Sequence, residues 1–401
     1  MTVNILQGKE DTTVHFIFTL VGEDQAFLVI SLPYETDDSQ AARTSYTIIA
    51  KALHEKNMEI VHERIFGSLE SEDFVRNERK RIFSETGIPY DTPVTYIQGH
   101  PPWGKGLAGI IIRAVSAEKV WTIQDGSLPC GRGWRSNGCT NIMLQNISGY
   151  EGSPSGNGSR VLQIRQMIDR AERVLRMNGA SYRDVVRTWF YLSDILEWYA
   201  EFNKVRNEKY GEFGIMPGPR DNNLLLPAST GIKGNSPLGA VATMDLLAIV
   251  GGDSNRRVVQ KLTNKAQLDA FRYGSAFSRG ALIREHDMTL LEISGTAAID
   301  ERGKSLFKDD VRGQITCTFD KIEALMDMEG AGLRDICAAT VFVKHPEHAE
   351  VFWDMAVERG LVDFPAVCVV ADVCREELLF EIDGEAVVKN GFEGPRGSKN
   401  G

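Results

Sequence analysis

Three spacings in this chain invite a chemical reading. The first is Glu381 in the segment LLFEIDG, a carboxyl set among apolar, strand-forming residues, with Cys374 seven positions before it in VCREELL. Desolvation in such a strand favours the neutral acid, and a neutral acid is what can donate a proton near pH 7. Read alone, a glutamate here is more often an exposed strand residue paired to a lysine, and such a cysteine a small buried hydrophobe. The second is GKGLAG at 104–109, a formal GxGxxG match. A dinucleotide site needs that run after a strand and at the start of a helix; HPPW precedes it and IIIRAV follows, so a turn is expected. The third is His345 with His348, separated by Pro346 and lacking a third ligand, so no metal site is expected. No GxSxG elbow and no P-loop is present.

The background composition narrows the options. The chain has 401 residues, 45 basic and 55 acidic side chains, a formal charge of -10 and a pI near 5.4. That balance opposes a nucleic-acid surface, which must neutralise phosphates, but allows a local basic pocket for a small acidic ligand. A hydrophobic share of 42% is ordinary for a globular protein, and the length points to two or three domains. No stretch is apolar enough to cross a bilayer, and MTVNILQGKEDTTVHF has no basic flank leading into an apolar run, so no signal peptide is expected. The six cysteines form no CxxC pair and read as free thiols in a reducing compartment. A soluble, cytoplasmic protein without membrane or nucleic-acid partners is expected.

Self-similarity supplies the elements that must position any site. MNGASYRDVVRTWFYL, from Met177, aligns without a gap with MEGAGLRDICAATVFV, from Met328, at an offset of 151. Gly179/Gly330, Arg183/Arg334 and Asp184/Asp335 are identical, and Gln163/Gln314 and Ile164/Ile315 extend the match backwards. Val161, Ile164, Ile168, Ala171 and Leu175 recur at helical spacing, Gly179 suits a helix C-terminus, and VVRTWFYL reads as a strand. A second helix over 196–209 follows; the later copy gives a helix over 313–328, a strand over 336–343, a helix over 346–359, and closing strands in PAVCVVADV and LLFEIDGEAVV. A fainter copy opens the chain, with AARTSYTIIAKALHEKN as helix, MEIVHERIFGS as strand, a helix over 72–85, and PVTYIQG and LAGIIIRAVSA as closing strands. The expected fold is therefore α+β, three tandem modules at 1–120, 121–257 and 258–390, the last carrying the site. GYEGSPSGNGS is expected to be a hairpin loop and 391–401 a flexible tail. Clefts between modules are where ligands are expected to bind.

The module order resembles that of RidA (YjgF) proteins, small trimers with sites between subunits, and three fused copies would make a pseudo-trimer. In that family, imine hydrolysis uses an arginine two residues after a proline; the places here hold Thr95, Ser229 and Val367, so that chemistry is not expected. RTWFYLSD, LPASTGI, RYGSAFSRG, EISGTAAI and VCREELLFEIDG, in this order, look like the chorismatase branch. The resemblance implies that Glu381 protonates the methylene carbon of chorismate's enolpyruvyl ether. It also implies, through Cys374 and Gly295, the aromatising subtype that yields 3-hydroxybenzoate and pyruvate.

Chorismate is a dianion, and guanidinium groups hold carboxylates by bidentate contacts. Arg187, Arg206 and Arg279 lie in the matched motifs and are the expected holders, with Tyr191 and Tyr273 as partners for the ring substituents. Arg187 is replaced by Ala338 in the third copy, so the module itself does not demand it. Cys374 has two open roles, thiolate or small polarisable wall. No metal or organic cofactor is expected. Rival readings are a hydrolytic chorismatase giving a dihydroxycyclohexadiene carboxylate, a RidA-type imine or enamine hydrolase, and a small-ligand-binding protein. Monomer, trimer and other homo-oligomers all fit a fused pseudo-trimer.

Overall fold

The computed structural model describes residues 5–10, 14–32, 35, 37–149, 158–217, 225–251, 258–263, 274–284 and 288–389. The first module holds β1 (Ile5–Glu10), β2 (Val14–Val21), β3 (Gln25–Ser31), α1 (Asp38–Lys56), β4 (Glu59–Gly67), α2 (Glu72–Thr86), β5 (Thr95–Gln98) and β6 (Leu107–Val115). The second holds β7 (Lys119–Asp125), β8 (Leu128–Ser136), β9 (Cys139–Ile147), α3 (Arg160–Met177), β10 (Val185–Leu192), α4 (Ile195–Glu212), β11 (Ala228–Lys233) and β12 (Ala242–Gly251). The third holds β13 (Val258–Leu262), β14 (Gly280–Arg284), β15 (Met288–Ala297), α5 (Val311–Asp327), β16 (Ile336–Val343), α6 (His348–Glu358), β17 (Ala366–Val370) and β18 (Phe380–Lys389). Each module makes a six-stranded sheet of identical order, exemplified by β13-β14-β15-β18-β16-β17. The fold is thus the tandem α+β repeat expected from sequence.

Local chemistry explains why the repeat was legible. Helix α3 buries Ile164, Met167, Ile168, Ala171, Val174 and Leu175 on one stripe. Gly179 (φ 78°) and Gly330 (φ 69°) take the left-handed conformation after their helices, which a residue lacking Cβ adopts at little cost. Asp184 and Asp335 each accept a hydrogen bond from the backbone N–H three residues earlier, of Ser181 and Gly332, both at 2.8 Å. Asn57 (φ 51°) does the glycine's job in the first module, one reason that copy is fainter.

GKGLAG is a turn leading into β6, as expected. The glycine-rich run GYEGSPSGNGS, expected to be a hairpin loop, falls between β9 and α3, and residues 150–157 of it lie outside the described residues. The tail at 391–401 lies outside them too. No helix is long and apolar enough to cross a membrane, among the described residues.

Each sheet packs its outer face on its own helices, giving three separate apolar cores. The inner faces meet in a fourth, which draws Phe27, Phe66 and Ile111 from the first module, Trp134, Trp189 and Tyr191 from the second, and Ile283, Phe342 and Val367 from the third. The arrangement is cyclic. β11 packs against β14 and β15 of the third module, and β17 packs against β3 and β6 of the first. Each penultimate strand therefore closes a cleft on the next module.

Candidate active site

Strand register gives the three modules a common frame. β4, β10 and β16 pair with the final strand of their module through a bulge, between Ile60 and His62, Val185 and Arg187, and Ile336 and Ala338. Aligned on these bulges, Phe66, Tyr191 and Phe342 are equivalent, as are their partners Gly109, Thr243 and Glu381. A strand's side chains alternate, so Glu381, Asp383 and Glu385 share the inner face of β18.

Glu381 lies at the junction where β11 meets the third module. Its carboxyl borders a cleft of about 490 Å³ lined by Tyr199 and Arg206 of α4, Ser229 and Gly231 of β11, and Phe277, Arg279, Gly295, Cys374 and Arg375. A second bulge in β15, between Ile293 and Thr296, shapes this wall. Inside it, the Ser294 hydroxyl donates to the Ser278 carbonyl at 2.7 Å and accepts from the Ser229 N–H at 2.8 Å, which ties β11 to the third module. Next to it, a Cβ on Gly295 would stand 2.2 Å from Glu381 Oε1, so glycine is what leaves room for the acid.

Glu381 is 5% exposed. Burial, and then the Asp383 carboxylate, push its pKa up to about 8, against the opposing pull of Arg187 and Arg279. It is therefore protonated at neutral pH. Cys374 is half-buried, and desolvation followed by the Glu381 carboxyl pushes its thiol up to about 12. Of the two roles open to Cys374, the thiolate is the one this environment disfavours.

The three arginines separate. Arg206 (1% exposed) and Arg279 (3% exposed) line the cleft and flank Phe277, their guanidinium carbons 5.7 and 5.3 Å from its ring centre. Arg206 donates to Asn203 Oδ1 at 2.6 Å, and its Nε has no partner among the described residues. Arg187 does not line the cleft. It donates to Asp383 Oδ2 at 3.0 Å and Thr230 Oγ1 at 2.7 Å, and lies 4.5 Å over the Trp189 ring. Thr230 in turn donates to the same Asp383 oxygen at 2.7 Å.

Arg187 belongs to an ionic girdle around the central core. Arg64 pairs with Glu385, Arg113 with Glu292, and His62 with Asp245, all buried and all between modules. The first module supplies Arg64, Arg113 and His62; the third supplies Glu292, Asp383 and Glu385. Desolvation lowers the His62 pKa despite Asp245. Burial, together with neighbouring acids Glu292 and Asp383, raises Glu385 to about 7 even with Arg64 beside it. The expectation that Arg187 contacts substrate directly thus gives way to a different placement: it is fixed by counter-charges of the neighbouring module, which also explains why Ala338 can replace it in the third copy.

Tyr191 is likewise off the cleft. Its ring belongs to the central core, 6.2 Å from Phe66, its equivalent in the first module. Tyr273 lies outside the described residues. Register also pairs Thr230, rather than Ser229, with Thr95 and Val367. Thr95 and Thr230 make the same bond, donating to the equivalent Asp245 and Asp383 at 2.6 and 2.7 Å. Tyr199, Phe277 and Arg375 are lining residues that sequence reasoning missed. Tyr199 stands seven positions before Arg206, two helical turns on one face, and that spacing was a usable signal.

Comparison with known proteins agrees with this frame. The family model described as Endoribonuclease L-PSP matches residues 273–388. A chorismatase of Streptomyces rapamycinicus is 28% identical over 228 residues, covering 51% of this chain and 64% of that protein. A chorismatase of Streptomyces hygroscopicus is 29% identical over 226 residues, covering 51% and 61%. The chain thus spans less than two thirds of the length of these relatives. A chorismatase crystal structure superposes with a TM-score of 0.60 at 21% identity, covering 82% of this chain and 93% of that one, a likeness of fold.

Proposed function

We propose, from the likeness of this chain to chorismatases and of residues 273–388 to the Endoribonuclease L-PSP family, that it cleaves the enolpyruvyl ether of chorismate into pyruvate and 3-hydroxybenzoate, with Glu381 as the acid. The observation that carries the reading is a buried carboxyl, its pKa pushed up to about 8, in one cleft with the buried Arg206 and Arg279. Cleavage begins with proton transfer to the methylene carbon, which makes a methyl group and an oxocarbenium centre at the ether carbon. The transfer creates an ion pair, and the Glu381 carboxylate left behind faces that cation and stabilises it. Arg206 and Arg279 are the cations in reach for the substrate carboxylates. Arg187 acts at one remove: it holds Asp383, whose charge keeps the proton on Glu381.

The product follows from water. Pyruvate plus 3-hydroxybenzoate contain all the atoms of chorismate and nothing more, whereas the diene product needs one added water. A neutral Cys374 thiol beside Glu381 fills space that a nucleophilic water would need. That supports the aromatising outcome over the hydrolytic one. No arginine occupies Thr95, Thr230, Ser229 or Val367, which weighs against imine hydrolysis.

The test is incubation of the purified protein with chorismate, pyruvate being followed by a coupled assay and the organic acids by chromatography. Pyruvate with 3-hydroxybenzoate in equal amounts is expected. Pyruvate with the diene keeps the acid and removes the subtype. Absence of pyruvate removes the reading.

A further inference from the structure

The register that equates the modules also equates their clefts. The cleft bearing Glu381 has a counterpart where β17 of the third module packs against β3 and β6 of the first. Gly109 stands there in the place of Glu381, and a Cβ on it would meet the Ile30 carbonyl oxygen at 2.4 Å and Val367 at 2.7 Å, so no acid fits. Ile17 stands in the place of Arg279. Yet the cleft is not filled in. Counted out to its open mouth it spans about 2010 Å³, four times the same measure around Glu381, and its lining among the described residues includes His15, Trp103, Trp353, Phe364 and Leu32 but no lysine or arginine. At its rim Glu347, Glu350 and Asp363 are exposed and form no ion pair among the described residues.

We propose that this counterpart cleft is a second ligand site, and that it takes an aromatic amine. Two half-buried indoles line it, and indole rings stack on aromatic rings and attract a cation through their quadrupoles. Three unpaired carboxylates at the rim favour a positive group and repel a carboxylate. The lining thus has the opposite charge preference to the Glu381 cleft, and among the described residues it offers a dianion no guanidinium. The inference stands apart from the chorismate reading, since no residue of the Glu381 cleft takes part.

Calorimetric titration of the full chain with 2-phenylethylamine, and with phenylacetate as its anionic match, tests the site. Saturable binding of the amine is expected, at least tenfold tighter than phenylacetate. Trp103→Ala and Trp353→Ala should each weaken it at least fivefold, and Arg206→Ala should leave it unchanged. Trp353 packs 4.8 Å from Phe352, so its loss could disturb folding. The exposed Glu347→Gln/Glu350→Gln pair avoids that, and should narrow the preference for the amine by at least threefold. Equal binding of both ligands, no binding at millimolar concentration, or binding that survives both tryptophan variants would each overturn the site.

Discussion

The cleft at the second–third module junction and its counterpart at the third–first junction share one backbone plan and differ in what their final strands carry. β18 presents Glu381 to its cleft, and β6 presents Gly109. The bulge holding Ser294 and Gly295 opens space for a carboxyl in the first case; in the second, Val367 closes over the glycine. The two junctions show that a repeated fold can separate scaffold from chemistry. Three copies keep the sheet, and one cleft receives the buried acid and its two arginines.

Five experiments would break or sharpen this contrast. Glu381→Gln should carry the largest effect, a loss of about 10²–10⁴ in kcat with the fold retained, since a positioned acid contributes about that much. A normal rate would leave the two clefts equally silent.

Arg187→Met should unfold or severely weaken the protein, by about 3–5 kcal/mol, because Asp383 would be left buried without its partner. Denaturant titration measures this. A stable variant with only a raised KM would return Arg187 to substrate contact.

Gly295→Ala should cut kcat about tenfold or more by displacing the Glu381 carboxyl, with KM changing less, because the methyl would meet Oε1. Steady-state kinetics separates the two parameters, and an unaffected kcat would show that the carboxyl has another place to sit.

The pH dependence has a definite sign. On the proposed reading Glu381 donates its proton only while protonated, so kcat/KM should be level below and fall above about pH 8. Its pKa is raised on folding from an ordinary value of 4.5, so the native state holds this proton more tightly than the unfolded chain. Its contribution to stability is accordingly full below about pH 4.5 and lost as pH rises toward 8. The stability difference between wild type and Glu381→Gln should move in the variant's favour across that window, as thermal melts at several pH values would register.

The smallest effect on rate belongs to Cys374→Ala. It should shift the product ratio from 3-hydroxybenzoate toward the diene, because a smaller wall admits water. A constant ratio by chromatography would remove the cysteine from the subtype assignment.

Much of this architecture could be read one segment at a time. Helical stripes, the left-handed glycines at 179 and 330, the capping aspartates at 184 and 335 and the alternation along LLFEIDGEAVV are local, and local rules of hydrogen bonding and period decide them. The strand period alone places Glu381, Asp383 and Glu385 on one face. It does not say that Glu381 meets a cleft while Asp383 and Glu385 meet Arg187 and Arg64, since those partners come from other modules, 196 and 321 residues away in sequence. Arg187 and Tyr191 show the same limit. Their motif is local, but each sits on an inner face, and what an inner face touches is set by how three sheets close on one another. The sequence by itself determined the modules, their order and the acid in its apolar strand. Tertiary structure decided which junction became the site, because the pKa of Glu381, the room beside Gly295 and the pairing of the buried arginines depend on burial and on charges that only assembly of the three sheets brings together.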